Sequence, residues 1–152
     1  MSSSALTDAT TWSAPGRIVV ATHGGFAEGI LGALQMICGR QPHVECINAY
    51  QEAGVDYDRR FQELVETHDY DAWPLVVVTD LLGGSVNNAF IQLLPGHPFL
   101  LVSGLNLPLL MELALSPVRL DEGVVRGIVE RSRGFVVYCG DELLSAGDEG
   151  EF

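Results

Sequence analysis

In this 152-residue chain, His23 stands before Gly24-Gly25, while Asp80 and Ser85 bracket Leu81-Leu82-Gly83-Gly84. These residue types suit one kind of chemistry. An imidazole has two distinct nitrogens, and a carboxylate bonded to one fixes the tautomer and orientation of the other. The free nitrogen is then a neutral nucleophile able to attack phosphorus, and the carboxylate stabilises the cationic ring that results. Glycine pairs let backbone N–H groups approach a ligand closely, and helix N-termini favour anions. Ser85 adds a hydroxyl donor at the same rim. Each part alone also has an ordinary structural reading. A strand-end histidine is commonly a hydrogen-bonder, an aspartate caps turns, and Gly-Gly is turn chemistry. The Gly-Gly-Ser run is no P-loop, because it lacks the Gly-Lys-Ser/Thr ending.

Such residues act together only if the fold assembles them, and the hydrophobic pattern says how it would. Short β-branched runs at Arg17–Thr22, Val44–Asn48, Leu75–Thr79 and Phe99–Ser103 read as strands. Helical periodicity follows each, over Phe26–Cys38, Tyr57–His68, Val86–Leu94 and Leu107–Leu115. Gly39 suits the end of the first helix and Pro108 the first turn of the fourth. A further helix spans Glu122–Arg133 with Asp121 as its N-cap, and Phe135–Cys139 reads as a fifth, apolar strand. Successive β-then-α units imply right-handed crossovers, a mostly parallel sheet and helices on both faces. The expected class is therefore α/β, a doubly wound flavodoxin-like sheet of order 2-1-3-4. In that order the first and third strands flank the switch point where ligands bind, so His23 and Asp80 would face each other.

Length and mass fit one domain, read as residues 17–144 between a flexible tail at 1–16 and an acidic tail at 145–152. The formal charge of -12 argues against nucleic acid or an anionic membrane as the main partner. No apolar run approaches the ~20 residues of a membrane helix. The N-terminal stretch lacks the regions of a signal peptide. Cys38, Cys46 and Cys139 have no metal-ligand spacing, so no metal is expected, and reduced thiols suit a cytoplasmic protein. His43, His68 and His97 read as turn or surface residues. Phe26, Leu81 and Leu82 form either an apolar rim for transient docking or plain packing of a first helical turn.

Three stretches carry a family resemblance. IVVATHGGFAEGILGALQMICG (Ile18–Gly39), VVVTDLLGGSVNNA (Val76–Ala89) and SGLNLPLLMEL (Ser103–Leu113) resemble, in order and spacing, the mannose-type IIA domains of the bacterial phosphoenolpyruvate-dependent sugar phosphotransferase system. The resemblance implies a phosphotransferase in which His23 takes a phosphoryl group from the carrier protein HPr and passes it to a IIB component. Asp80 would hold that histidine, and Gly24, Gly83, Gly84 and Ser85 would bind the phosphoryl group. No organic cofactor is implied, since the donor is another protein's phosphohistidine. It implies a homodimer too, with Phe135–Cys139 exchanged as an antiparallel edge strand, and membrane contact only through permease subunits. Val86 replaces the proline usual after Gly-Gly-Ser, which predicts a less rigid turn. With no IIB domain following, the chain is expected to be free-standing. The alternative role is a regulatory module whose phosphorylation state controls a protein partner.

Overall fold

A computed structural model of the protein describes residues 14–140. Four strands form one sheet: β1 (Arg17–His23), β2 (Val44–Ala49), β3 (Leu75–Thr79) and β4 (Leu100–Ser103). Their order is β2-β1-β3-β4, and every pairing is parallel. Five α-helices cover the sheet: α1 (Phe26–Cys38), α2 (Tyr57–Thr67), α3 (Ser85–Leu93), α4 (Leu107–Ala114) and α5 (Glu122–Ser132). The expected order and helix count are observed, and the element bounds shift only at their ends.

The two-residue period of a strand sends alternate side chains to opposite faces, and a sheet covered on both sides needs both sets apolar. In β1, Ile18 and Val20 join one core with Val76 and Val78 of β3 and the inner faces of α1, α4 and α5. Val19 and Ala21 join the other with Leu75 and Val77 of β3, Tyr57, Phe61 and Val65 of α2, and Val86 and Phe90 of α3. Every residue of β3 is buried, as a central parallel strand requires. Side chains begin three helices. Asp56, Asn106 and Asp121 accept from Arg59, Leu109 and Val124 amides at 3.1, 2.8 and 2.8 Å, satisfying first-turn donors.

The fifth strand expected at Phe135–Cys139 does not form in the single chain. Arg133–Phe135 is a 3-10 turn, and Val136–Tyr138 pair with no strand. Apolar, β-branched composition gives a segment strand propensity, but a strand exists only by pairing, and this segment pairs with neither outer strand of its own sheet. Val136 and Tyr138 are left 83% and 79% exposed. The acidic tail read at 145–152 and residues 1–13 of the N-terminal tail lie outside the described residues.

Candidate active site

β1 and β3 are neighbours, with Ala21 opposite Thr79 in the register. The next residues along these two strands, Thr22-His23 and Asp80, therefore emerge side by side at the carboxyl end of the sheet. Thr22 is fully buried, and its hydroxyl oxygen accepts from the Ala27 amide at 2.8 Å. It thereby ties the end of β1 to the first turn of α1. Gly24, with φ 57°, turns the chain, and its amide donates to Ala49 O at 3.0 Å.

Asp80 Oδ2 accepts twice from His23, from the backbone amide and at Nδ1 of the ring, both at 3.0 Å. A carboxylate can only accept, so Nδ1 carries the proton, and in the neutral ring Nε2 then holds the lone pair. Nε2 lies 2.9 Å from Ser85 Oγ, which consequently donates to it. The His23 side chain is 43% exposed and that of Asp80 13%. Burial pushes the Asp80 carboxyl up, but hydrogen bonds from the His23 amide, the His23 ring and its own amide outweigh burial. Its pKa falls below the ordinary value, and it stays an anion.

The 80–84 loop is held by backbone amides and by side chains of α3. Gly84 N–H donates to Leu81 O at 3.0 Å, and Gly83 N–H to Asn87 Oδ1 at 3.2 Å. Asn87 is buried, and its other amide atom donates to Thr79 Oγ1 at 3.0 Å, while Asn88 Nδ2 donates to Gly83 O at 2.9 Å. Val86 is itself fully buried in the core, so its role is packing. The turn is thus braced by two asparagine side chains. Gly83 adopts φ 81°. At Gly84 the need is space, because a Cβ would stand 3.3 Å from Cε1 of His23 and 3.1 Å from Leu81 O.

The structure brings His23, Asp80, Ser85, Gly24, Gly83 and Gly84 together. The amides of the three glycines are committed within the protein, so these residues shape the site and leave donation to Ser85 and the first-turn amides of α3. Phe26, Leu81 and Leu82 are exposed around the site, the leucines at 61% and 78%. The other histidines sit elsewhere, each with a ring nitrogen at a carbonyl: His43 at Ala114 O, His68 at Trp73 O and His97 at Leu93 O.

Sequence reasoning missed Thr22, Asn87 and Tyr50. The first two sit inside the recognised motifs, where a polar residue in an otherwise apolar stretch was an available signal. Tyr50 follows β2, has φ 65°, and places its ring centroid 5.6 Å from that of His23. A left-handed backbone costs a residue with a Cβ on the order of 1–2 kcal/mol, and nothing local in the sequence marks it. Among the described residues no group of side chains is arranged to hold a metal. No described helix is long and apolar enough to cross a membrane.

The family described as "PTS system fructose IIA component" matches residues 17–126. A Klebsiella pneumoniae protein of the phosphoenolpyruvate-dependent sugar phosphotransferase system is 33% identical, with a TM-score of 0.78 over 86% of this chain and 96% of that one. The phosphotransferase system component EIIA from Streptococcus agalactiae is 30% identical, with a TM-score of 0.70 over 82% and 98%. A PTS IIA protein associated with the fucose utilization operon of Streptococcus pneumoniae is 29% identical, with a TM-score of 0.71 over 84% and 95%. A matching family over most of the chain, nearly whole relatives and a fold of the same order leave one assignment: the chain belongs to the mannose/fructose-type IIA components of the bacterial sugar phosphotransferase system.

Proposed function

We propose that the protein is a phosphoryl carrier in which His23 Nε2 accepts a phosphoryl group from phospho-HPr and delivers it to a separate IIB component. One observation carries this reading. The imidazole is tied at Nδ1 to Asp80 while Nε2, with its lone pair, faces Ser85 at an exposed rim. In the transfer, the Nε2 lone pair forms the new N–P bond as the donor's N–P bond breaks, and that bond's electron pair returns to the donor imidazole. The Nδ1 proton stays in its hydrogen bond to Asp80, so the phosphorylated ring is an imidazolium paired with a carboxylate. The Ser85 hydroxyl turns from Nε2 to a phosphoryl oxygen, joined by the first-turn amides of α3. Gly84 leaves room beside the ring, and Gly24 and Gly83 allow the turns that bring both loops there.

The exposed Phe26, Leu81 and Leu82 fit brief apolar docking of donor and acceptor proteins in the cytoplasm. The protein is proposed to act as a homodimer. The exposed Val136–Tyr138 segment and the outer edge of β4 are what an exchanged strand would cover.

The test is intact-protein mass spectrometry after incubation with phosphoenolpyruvate, Enzyme I and HPr. The wild type should gain one acid-labile phosphoryl group, and His23→Ala should gain none. An unmodified wild type beside demonstrably phosphorylated HPr would overturn the carrier reading.

A further inference from the structure

Tyr50 reaches His23 from neither of the loops that supply the imidazole and its carboxylate. It comes off the end of β2, where Ala49 is paired with His23 across the sheet. It is the one non-glycine residue with a positive φ among the described residues. Its ring is tilted 52° to the imidazole at 5.6 Å between centroids. Behind it Tyr57 packs edge-on at 5.5 Å, and Phe61 and Phe90 continue the aromatic contacts into the core. Tyr57 is buried, and its hydroxyl accepts from the Glu52 amide at 3.3 Å, which fixes the segment carrying Tyr50. The turn after β2 needs only a residue tolerant of a left-handed backbone, and glycine would serve it without strain. A disfavoured backbone persists where the surroundings hold it, and the half-exposed Tyr50 ring lies here between His23 and Tyr57.

We propose that Tyr50 is a positioning residue for His23, acting through its ring. In the resting site the imidazole is held at both nitrogens, by Asp80 and by Ser85. Forming a bond at Nε2 gives up the direct Ser85 contact, and during the attack the half-exposed ring keeps only its Asp80 hydrogen bond. Tyr50 supplies an aromatic wall to the ring, in addition to the Gly84 backbone beside Cε1. It keeps Nε2 aimed at the incoming phosphorus, and its π system favours the imidazolium of the phosphorylated form. This inference deepens the proposed carrier role and rests on it.

The experiment compares wild type with Tyr50→Phe, Tyr50→Gly and Tyr50→Asn. Glycine and asparagine both accept a left-handed backbone while removing the ring, so two variants guard against a folding failure. Phosphorylation of His23 by phospho-HPr is followed in time, and the imidazole ¹⁵N and ¹H signals are recorded in the unphosphorylated proteins. The phenylalanine variant should transfer within about twofold of wild type, because the ring is kept. The glycine and asparagine variants should slow by about tenfold to a hundredfold, the scale of a misaimed reacting group, with shifted or broadened imidazole signals. Wild-type rates and unchanged signals in those two variants would overturn the inference. So would a phenylalanine variant as slow as they are, since the hydroxyl would then be the active part. If the wild type takes no phosphoryl group, the carrier reading fails, and the imidazole signals still decide whether Tyr50 holds the ring.

Discussion

At the scale of single residues, the site works by dividing the nitrogens of one imidazole between an acceptor and a donor. Asp80→Asn keeps the size of the side chain but removes the charge that holds the Nδ1 proton. The ring then loses its enforced tautomer and the stabilisation of its cationic form. Transfer to His23 should slow by about 10²-fold or more with the fold intact, read from rapid-quench phosphorylation and circular dichroism. Ser85→Ala removes one oxyanion-type donor and should slow transfer by up to about 10²-fold, while Ser85→Thr restores most of it. Because the folded pKa of Asp80 lies below the ordinary carboxylate value of about 3.9, its stabilising contribution is present above that value and is lost as pH falls through the folded one. The carboxylate therefore survives through neutral and mildly acidic conditions.

At the scale of elements, the site depends on how β3 is joined to α3. Asn87 bridges Thr79 and the Gly83 amide from inside the protein, so its side chain does the work of a rigid turn. Asn87→Ala removes the acceptor of the Gly83 amide and a donor to the buried Thr79 hydroxyl, which keeps only its 3.4 Å bond to Val102 O, and should destabilise by about 1–3 kcal/mol, measured by urea unfolding. The same variant should slow phosphorylation, because Ser85 and Gly84 belong to the loosened segment. Asn88→Ala, losing an exposed contact to Gly83 O, should cost less than half as much in the same assay. Phe61 and Phe90 meet at 4.6 Å beneath α2 and α3, and both are fully buried. Phe61→Ala should cost about 3–5 kcal/mol by the same unfolding measurement.

For the whole molecule, two histidines far from the site tie stability to pH. Burial lowers the pKa of His43 and, as the largest cause, that of His68, which also faces Arg17. Both are favoured neutral in the folded state and take up protons more readily when unfolded. Their contribution is fully present above the unfolded value of about 6.5 and is lost as pH falls from there through the folded values. The melting temperature should fall as pH drops below about 6.5, and His43→Gln with His68→Gln should flatten that decline in scanning calorimetry. Assembly is the second property at this scale. If Val136–Tyr138 pairs with a second chain, light scattering should give twice the monomer mass, and Val136→Asp should shift the population toward monomer.

How much was legible in the sequence follows from what each feature depends on. Strand and helix periodicity are local, so every strand from β1 to β4 and each of the five helices could be read from the spacing of apolar residues. Crossover handedness implied only a parallel sheet covered on both faces; the order 2-1-3-4 was the flavodoxin-like one, and the structure adopts it, which brings His23 and Asp80 together. The Phe135–Cys139 segment is not a strand in the single chain because its pattern records propensity, while a strand also needs pairing, which this segment does not make within its own chain. Tertiary structure alone decided the rest. It fixed which nitrogen of His23 is free, since this rests on distances to Asp80 and Ser85. It committed the glycine amides to internal carbonyls and to Asn87, leaving the hydroxyl of Ser85 as the donor at the ring. And it bent the backbone at Tyr50 to bring an aromatic ring from β2 against the imidazole, a placement set by long-range packing that no local pattern encodes.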